Sequence, residues 1–258
     1  MTTDDTSLTL RLAASPRDLA AAQRLRYTVF VQELGGDGPL VDHAARLERD
    51  DFDDVFDHLL LIDPMRDAVA LDDVVGVYRL LPGDRVGAGR FYSEDEYDLS
   101  ALRMSGRRLL ELGRSCVHAQ YRGGAAMLLL WNALADYVLE RDIEVLFGVA
   151  SFHGTDVGPI RAQLAYLHAY HLAPPALRVR ARAAGFQRMD LPGPMEKKAA
   201  LAGMPALIRA YLRLGGFVGE GAWVDHAFNT TDVCLVMDTS QMSARHRAFY
   251  LRKHERTA

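Results

Sequence analysis

The fold is decided by the stretch Glu111-Leu112-Gly113-Arg114-Ser115-Cys116-Val117-His118-Ala119-Gln120-Tyr121-Arg122-Gly123-Gly124-Ala125. Its first part continues an apolar run that begins at Arg108 and predicts a strand, and residues 125–140 have a helical pattern. Two adjacent glycines between the strand and the helix permit close approach of the backbone, and the positive end of a helix attracts anions. Residues 120–125 therefore predict a loop that binds a phosphate or pyrophosphate. The alternative is an ordinary helix start that happens to contain glycine.

Other strands and helices are predicted on either side of this stretch. Residues 8–12 alternate between apolar and polar and indicate a strand. Ser15-Pro16-Arg17-Asp18 has the pattern of a capping box with proline at the first helical position, which predicts a helix to about residue 32. These elements together predict an α/β sheet that opens near the glycine-rich turn. Further strands are predicted over 58–62, 74–81, 143–150, 222–226 and 232–237, and further helices over 205–214 and 241–258.

The composition is that of an ordinary soluble globular protein. The chain has 258 residues, of which 49% are apolar and 25% are charged, and these values exclude intrinsic disorder and collagen. Cys116 and Cys234 each lie inside an apolar stretch, so they are predicted to be reduced and packed, not part of a disulfide framework. No flexible linker divides the sequence. We therefore expect a single domain over residues 1–258, in which residues 176–258 form a C-terminal elaboration.

The net charge of −4 hides an uneven distribution along the chain. Residues 1–100 contain 10 Lys and Arg against 21 Asp and Glu, and residues 101–258 contain 20 against 13. The acidic part suits a cationic ligand, and the basic part suits an acidic protein, a phosphate or an anionic membrane surface. Residues 1–7 lack the pattern of a signal peptide, and no apolar run approaches the ~18 residues of a membrane span. A cytoplasmic location is expected.

The motifs within residues 111–125 are accompanied by further segments in a fixed order. Those before and after them are Arg26-Tyr27-Thr28-Val29-Phe30 with Glu33, Asp50-Asp51-Phe52-Asp53 with Asp57-His58-Leu59, Arg79-Leu80-Leu81 and Gly148-Val149-Ala150-Ser151-Phe152-His153-Gly154. In this order they resemble the GNAT acyltransferases, in the branch that contains acyl-homoserine-lactone synthases and ornithine-lipid N-acyltransferases. The resemblance implies a mixed sheet flanked by helices. The segments similar to the ornithine-lipid branch in particular are Tyr211-Leu212-Arg213-Leu214-Gly215-Gly216, Asp225-His226-Ala227-Phe228 and Thr231-Asp232-Val233.

The resemblance also implies a reaction. A 3-hydroxyacyl group would pass from acyl carrier protein to the α-amino group of L-ornithine and give lyso-ornithine lipid. Because a thioester is already activated, a neutral amine attacks it directly, without a covalent acyl-enzyme, a metal or a bound cofactor. The donor is then the acyl-phosphopantetheine of the carrier protein. In agreement, the sequence has neither a G-x-S-x-G elbow nor a histidine and cysteine cluster with metal-ligand spacing.

The candidate catalytic residues are Glu111, Arg114 and Asp53. The resemblance implies that Glu111 is the base or the ammonium holder and that Arg114 organises the site, and a structural ion pair is the alternative for Arg114. On a regular strand the side chains of Glu111 and Arg114 point to opposite faces, and a bulge between them would change this. Backbone amides near residues 116–118 are the expected donors to the oxyanion of the reaction.

The candidate substrate-binding residues are Glu33, Asp50, Arg79 and Ser151. Asp50 and Asp53 share one helical face if their segment is a turn, which gives a pair of carboxylates for the side-chain ammonium of ornithine. A solvated acidic loop is the alternative. Glu33 is a candidate for the substrate amine and Arg79 for the substrate carboxylate. The candidate donor-binding residues are Val117, His118, Gln120, Arg122, Gly123, Gly124 and Ala125.

The sequence leaves several other functions open. In one alternative, the enzyme acylates glutamine, lysine or glycine in place of ornithine. In two others, the chain is an acyl-homoserine-lactone synthase or an acetyl-CoA-dependent amine acetyltransferase. Outside enzymes, the alternative is a membrane-acting, lipid-binding protein. No motif indicates nucleic-acid binding. Residues 241–258 combine five Lys and Arg with apolar residues, which predicts a helix in peripheral contact with the inner face of an anionic membrane.

Overall fold

The computed structural model describes residues 8–87, 89–191 and 197–241. The chain divides into two compact units, each of which is assembled from two segments of the sequence. The first unit consists of Met1–Leu81 and Leu112–Arg141, and the second consists of Pro82–Glu111 and Asp142–Ala258. The expectation of one continuous domain with an elaboration from residue 176 stays a prediction.

Strands and helices follow one another in mixed order. The strands are β1 (Thr9–Leu12), β2 (Asp57–Ile62), β3 (Val74–Pro82), β4 (Tyr97–Asp98), β5 (Leu109–Val117), β6 (Val145–His153), β7 (Arg180–Ala181), β8 (Phe186–Gln187), β9 (Phe217–Val218), β10 (Ala222–Asp225) and β11 (Thr230–Asp238). The α-helices are α1 (Pro16–Arg26), α2 (Gly83–Val86), α3 (Ser100–Arg103), α4 (Ala126–Glu140), α5 (Arg161–His171), α6 (Lys197–Ala202) and α7 (Ala206–Arg213). Short 3-10 helices cover Tyr92–Asp95, Ala119–Tyr121, Pro175–Leu177 and Thr239–Gln241. The helix expected over 241–258 lies, from residue 242 onward, outside the described residues.

The first helix begins where its capping sequence predicts. The Ser15 hydroxyl accepts a hydrogen bond from the Asp18 N–H, and Pro16 occupies the first turn, where a missing N–H costs nothing. After Arg26 the chain continues as a π-helix over Tyr27–Glu33, with wider turns. The helix predicted to residue 32 is therefore present, but its second part has a different hydrogen-bond pattern.

The sheet of the first unit has the strand order β1-β2-β3-β5. β1 pairs antiparallel with β2, and β2 pairs antiparallel with β3. Both β2 and β3 are buried along nearly their whole length, which suits their continuous apolar sequences. Gly76 permits close packing on β3, because a Cβ there would lie 3.0 Å from Leu130 Cδ1 of α4 and 3.1 Å from Leu61 Cβ of β2.

A hydrophobic cluster joins α1 and the π-helix to this sheet. Its buried members are Ala21, Ala22, Leu25, Val29, Leu60, Ile62, Val74, Val77 and Cys116. The helical residues among them recur at intervals of three and four, so one face of the helix is apolar and packs on the strands. This packing fixes the end of α1, where Arg26 lies.

The sheet of the second unit is built around β6 and β11. These strands pair antiparallel over nine residues, from Val145 opposite Asp238 to His153 opposite Thr230. β11 also pairs with β10 and β9, and β10 pairs with β8. Residues 109–111 of β5 pair in parallel with β6. The strands predicted over 143–150 and 232–237 are confirmed. β6 begins two residues later and ends three residues later than predicted, and β11 is longer than predicted at both ends.

The fold class expected from the sequence is confirmed. Parallel and antiparallel strand pairs occur together, and helices flank them, as in a mixed α/β sheet. Among the described residues, no helix has both the length and the apolar character needed to cross a membrane.

Candidate active site

Six ionisable side chains of the first unit meet in what we call the ion cluster. Its positive members come from three elements of regular structure, the end of α1, β3 and β5. Its negative members come from the segment between the π-helix and β2. The members are Arg26, Arg79 and Arg114, and Glu48, Asp50 and Asp53.

Arg26 and Arg79 form the buried part of the ion cluster, and neither is exposed to solvent. Arg26 donates hydrogen bonds through Nε to Glu48 and through Nη1 to Asp53. The Nη1 atom of Arg79 lies 2.7 Å from each carboxylate oxygen of Asp50 and 3.0 Å from Asp53 Oδ1. The carboxylates thus bridge α1 and β3.

Arg114 joins the ion cluster from β5. Its Nε atom lies 3.2 Å from Glu48 Oε1, and its Nη2 atom lies 3.4 Å from Asp50 Oδ2. The side chains of Arg114 and Asp50 are 11% and 16% exposed, whereas those of Arg79 and Glu48 are fully buried. The ion cluster therefore reaches solvent at Asp50 and Arg114.

The three carboxylates of the ion cluster are ionised at neutral pH. Burial raises the pKa of Asp50, but attraction to Arg79 and Arg114 outweighs it, and the pKa of Asp50 lies below its ordinary value. The pKa values of Asp53 and Glu48 are also lowered, because neighbouring arginines outweigh the effect of burial. Three guanidinium groups balance three carboxylates, so the cluster as a whole is neutral.

The turn expected at Asp50 and Asp53 is present, since the Asp53 N–H donates to the Asp50 carbonyl at 3.3 Å. Asp53 also accepts a hydrogen bond from Gln23 Nε2 at 2.8 Å. Both carboxylates therefore already accept hydrogen bonds from side chains of the first unit. Their role in binding an ammonium stays a prediction, as does the role of Arg79 in binding a substrate carboxylate.

Arg114 interrupts the regular geometry of β5. Its φ is 48°, in the left-handed region that residues with a Cβ rarely adopt. Such a conformation persists where surrounding contacts hold it, and here the ion pairs with Glu48 and Asp50 do so. The simple alternation of faces expected along a strand does not apply across this residue.

The glycine-rich loop before α4 has the features expected of an anion site. The His118 side chain caps the 3-10 helix Ala119–Tyr121 by accepting a hydrogen bond from the Gln120 N–H at 3.3 Å. Gly123 has a φ of 81°, which favours glycine. In the described part of the chain, no side chain caps the N-terminus of α4 at Ala125. The first amides of α4 and the positive end of its dipole therefore suit a phosphate group.

Two of the candidates, Arg122 and Glu33, pair with each other. Arg122 Nη2 lies 2.6 Å from Glu33 Oε2, and Arg122 Nε donates to the Val117 carbonyl at 2.9 Å. This arrangement ties the loop to the end of the π-helix. The His118 N–H, one of the expected oxyanion donors, donates to the Val75 carbonyl of β3 at 2.9 Å.

Glu111 lies in the second unit and is 1% exposed. Its Oε1 accepts a hydrogen bond from the Ser93 N–H at 2.6 Å, and its Oε2 accepts one from the Tyr92 N–H at 2.8 Å. The carboxylate thereby holds the start of the 3-10 helix Tyr92–Asp95. Its role as a base stays a prediction, and these contacts give it a structural task as well.

Ser151 is the other candidate that belongs to the second unit. It is exposed on β6, opposite Asp232 of β11. Its role in substrate binding stays a prediction. All remaining candidate residues belong to the first unit, either in the ion cluster or in the loop around Gly123 and its partner Glu33.

The sequence did not single out Arg26 and Glu48 as site residues. Arg26 directly follows Leu25 on the buried face of the first helix, and a cation among apolar positions is a signal for a buried partner. No comparable pattern in the sequence marks Glu48. It begins an acidic segment in which most carboxylates are predicted to be exposed to solvent.

The two cysteines are free and buried, as predicted. Burial raises the pKa of the Cys116 thiol to about 12. Since the thiolate is the nucleophilic form, burial disfavours Cys116 as a nucleophile. Direct attack of the amine on the thioester, without an acyl-enzyme, stays a prediction.

Comparison with known proteins identifies the family. Residues 25–132 match the acetyltransferase (GNAT) domain. The L-ornithine N(alpha)-acyltransferase of Rhodobacter capsulatus is 63% identical over 252 residues, which are 96% of this chain and 96% of that protein. The chain belongs to the L-ornithine N(alpha)-acyltransferase family. A second member, from Brucella abortus, is 39% identical over 95% of this chain and 89% of its own length.

Membership of the L-ornithine N(alpha)-acyltransferase family confirms two predictions, that the chain is an enzyme and that it is an N-acyltransferase with the GNAT fold. A solved structure of the CoA-dependent acyl-homoserine lactone synthase BjaI aligns with 93% of this chain and 83% of that protein, with a TM-score of 0.50. At 16% sequence identity, this likeness concerns the fold alone.

Proposed function

We propose that this N-acyltransferase transfers a 3-hydroxyacyl group from acyl carrier protein to the α-amino group of L-ornithine and so forms lyso-ornithine lipid. The observation that carries the proposal is the 63% identity, over 96% of the chain, with a protein named L-ornithine N(alpha)-acyltransferase. Relatives from Brucella abortus and Agrobacterium fabrum bear the same name. The carrier protein and the 3-hydroxyl group go beyond those names. The carrier protein is argued from the loop before α4, and the 3-hydroxyl group rests on the resemblance of the sequence to the ornithine-lipid branch.

The loop before α4 is the proposed site for the phosphopantetheine of the donor. The uncapped N-terminus of α4 offers backbone N–H groups and a partial positive charge to a phosphate diester. Gly123 supplies the left-handed turn that leads into the helix. Arg122 is 46% exposed beside Glu33, so its guanidinium is available at the surface to a second anionic group.

The proposed reaction forms an amide bond and breaks a thioester. The α-amine of ornithine, once its ammonium has lost a proton to a base, attacks the thioester carbonyl, and an oxyanion forms on the carbonyl oxygen. The nitrogen then carries a positive charge and loses a second proton, and collapse of the intermediate expels the phosphopantetheine thiolate, which takes up that proton. Glu111 is the proposed base, and the proton that it receives returns to solvent.

The ion cluster has a supporting role in this proposal. Its buried pairs connect the end of α1, β3 and the irregular residue of β5, so they hold in place the strand that leads into the donor loop. The three guanidinium groups offset the charge of the three carboxylates while all members are present. Removal of one member leaves an uncompensated charge.

The proposal is tested with purified protein and 3-hydroxyacyl carrier protein. Thiol release is measured with L-ornithine, L-lysine, L-glutamine and glycine, and the product is analysed by fragmentation mass spectrometry to locate the acylated nitrogen. A second arm replaces the carrier protein by the acyl-CoA of the same chain length. We expect the fastest release with L-ornithine and the carrier protein, and a product acylated on the α-nitrogen.

Each part of the proposal has its own contrary result. Absence of thiol release with every amine contradicts acyl transfer to amino acids. Faster release with glutamine or glycine contradicts ornithine as the acceptor. Equal efficiency with acyl-CoA contradicts the carrier protein as the preferred donor.

A further inference from the structure

Arg66 connects two segments of the first unit that are distant in sequence. One is the β2–β3 turn, by which we mean residues 63–73, and the other is the donor loop, residues 119–125. Arg66 donates a hydrogen bond through Nη1 to Gln120 Oε1 at 2.9 Å. The sequence did not single out Arg66 as a site residue, although Gln120 is one of the candidates for donor binding.

Contacts within the β2–β3 turn fix the direction of the Arg66 guanidinium. Its Nε atom donates to the Asp72 carbonyl at 2.8 Å, and its Nη2 atom lies 2.6 Å from Asp72 Oδ2. The guanidinium also lies over the Tyr121 ring, 5.9 Å from the ring centroid. Because a guanidinium group is planar and rigid, two held nitrogens determine where the third one points. Nη1 is therefore directed at Gln120 by the turn itself.

A second contact from the same turn anchors the donor loop at Tyr121. The Tyr121 hydroxyl donates a hydrogen bond to a carboxylate oxygen of Asp63, and both side chains are buried. The residues on either side of Tyr121, which are Gln120 and Arg122, are exposed. The buried anchor holds the backbone next to Gln120 in place, while the Gln120 side chain stays open to a ligand.

The contact with Arg66 decides which end of the Gln120 amide faces outward. A guanidinium group only donates hydrogen bonds, so it binds the amide oxygen, and the NH₂ group of Gln120 points away from it. Gln120 is exposed, and within the described part of the chain its side-chain nitrogen has no acceptor. The donor loop thus presents two N–H donors at its surface. Such donors suit the phosphate oxygens and the amide carbonyl oxygens of phosphopantetheine.

The charge of Arg66 also favours the hydrogen bond that holds the backbone of Gln120. The Gln120 N–H donates to His118 Nδ1 at 3.3 Å, and only a neutral imidazole keeps a ring nitrogen as an acceptor. Burial lowers the pKa of His118, and the nearby positive charge of Arg66 lowers it further. Arg66 therefore supports both the side chain and the backbone N–H of Gln120.

We propose that Arg66 is a positioning residue for the acyl donor, which orients the Gln120 amide so that its NH₂ group donates hydrogen bonds to the phosphopantetheine. This inference rests on the proposed function, because it takes the donor loop as the site of the phosphopantetheine. A side chain that is oriented before the ligand arrives loses less conformational freedom on binding, and the affinity is higher as a result. Arg66 therefore acts on donor binding through Gln120 and leaves the binding of the acceptor amino acid unchanged.

The test compares Arg66→Met, Gln120→Ala, the double variant of both, and Gln120→Glu. Methionine keeps an unbranched side chain at 66 but donates no hydrogen bond. Arg46→Met is the matched control, because Arg46 Nη2 donates to Gln32 Oε1 at 2.7 Å and so forms the same kind of pair in the first unit, without a residue of the donor loop. The KM for 3-hydroxyacyl carrier protein, the KM for L-ornithine, kcat and thermal stability are measured. Calorimetry without ornithine gives the Kd for holo carrier protein and for apo carrier protein, which lacks phosphopantetheine.

We expect Arg66→Met to raise the donor KM and the Kd for holo carrier protein by about three- to tenfold, with the KM for L-ornithine and the Kd for apo carrier protein unchanged. The double variant should resemble Gln120→Ala, because Arg66 acts through Gln120. Gln120→Glu keeps an oxygen for Arg66 and should retain thermal stability, but it lacks the NH₂ group and should raise the donor KM. The control, Arg46→Met, should resemble the wild type in every respect.

An unchanged donor KM in Arg66→Met would overturn the inference and leave the proposed function standing. If Arg66→Met loses thermal stability, Gln120→Glu decides, and an unchanged donor KM in that variant overturns the inference as well. Additive effects in the double variant would show that Arg66 acts independently of Gln120, and an equal rise in Arg46→Met would show a general effect of losing an arginine pair. Failure of the wild type to bind holo carrier protein refutes the proposed donor instead. The variants are then compared with acyl-CoA, which contains the same phosphopantetheine, and an unchanged KM for acyl-CoA in Arg66→Met refutes the role of Arg66 too.

Discussion

At the scale of single residues, charge pairing inside the first unit determines what each carboxylate can do. Asp53 accepts hydrogen bonds from Arg26, Arg79 and Gln23, and it is 6% exposed. A carboxylate in these surroundings stabilises the fold only while it is ionised and its arginines are present. Its substitution therefore gives a stability effect that is separable from an effect on the reaction.

Asp53→Asn should destabilise the protein by about 3–5 kcal/mol, because it leaves part of a buried positive charge without a partner. The pKa of Asp53 in the folded protein lies below its ordinary value. The contribution of Asp53 to the free energy of unfolding is thus fully present above the unfolded pKa of about 3.9. It is lost as the pH falls below that value and through the pKa of the folded protein. Urea unfolding between pH 3 and pH 7 should show a steeper loss of stability at acidic pH in the wild type than in Asp53→Asn. Parallel pH profiles would contradict a stabilising ion pair at this residue.

Glu111→Gln separates a structural role of Glu111 from a role as base. A glutamine amide places an NH₂ group against the N–H of Tyr92 or Ser93, each of which now donates to a carboxylate oxygen. We expect a loss of about 1–3 kcal/mol in the free energy of unfolding, measured by urea titration.

If Glu111 is also the base, kcat per folded molecule falls and the acidic limb of the pH profile of kcat/KM disappears. Glu220→Gln, at a partly exposed pair with Arg180, is the control. Unchanged turnover of folded Glu111→Gln would contradict the base.

At the scale of elements, the turn into α4 combines a left-handed residue with an uncapped helix N-terminus. Gly123 adopts a φ of 81°, and a Cβ there would meet no atom within 4 Å. Any effect of a side chain at this position therefore comes from the backbone and not from a clash. The neighbouring Gly124 does not share the left-handed φ, which makes the pair a matched test of the loop.

Gly123→Ala should destabilise the turn by about 1–2 kcal/mol, because left-handed φ is unfavourable for a residue with a Cβ. We expect the KM for the acyl donor to rise as the loop amides shift, while binding of L-ornithine is unchanged. Gly124→Ala should have little effect on either quantity, since its Cβ would lie 3.7 Å from the Tyr121 carbonyl oxygen, an ordinary contact. Equal donor KM values for the two variants would argue against the loop as the donor site.

At the scale of the whole molecule, the acidic residues of the first part of the sequence and the basic residues of the second part lie in different surroundings. Much of the acidic charge in residues 1–100 is neutralised by arginines within the first unit, as in the ion cluster. In residues 101–258, Arg180 and Arg188 are largely exposed, although each lies beside an acidic residue. A basic surface there is compatible with an acidic carrier protein or an anionic membrane.

Membrane contact is predicted to depend on residues 242–258. A protein that ends at residue 241 should co-sediment less with vesicles containing anionic lipid than the full chain does, because it lacks five Lys and Arg among apolar residues. Binding of the full chain should weaken as salt is raised, since the attraction is partly electrostatic. Neutral vesicles serve as the control. Equal sedimentation of both proteins with anionic vesicles would refute the prediction.

The amino-acid sequence by itself determined the local structure and the family. The capping box at Ser15, the apolar runs of β2, β3, β6 and β11, and the glycine-rich turn before α4 each depend on residues that are close in sequence. The buried, reduced state of the cysteines followed from the apolar residues around them. Such patterns are readable because burial and turn geometry repeat with the short periods of helices and strands.

Only the tertiary structure decided which charges meet. Glu48 and Arg114 are 66 residues apart in sequence, and Asp50 and Arg79 are 29 residues apart. The sequence identified Asp50, Asp53 and Arg79 as candidates but gave no means of knowing that they bind one another. An electrostatic interaction depends on distance in space and on burial, and neither is encoded in the spacing of two residues along the chain.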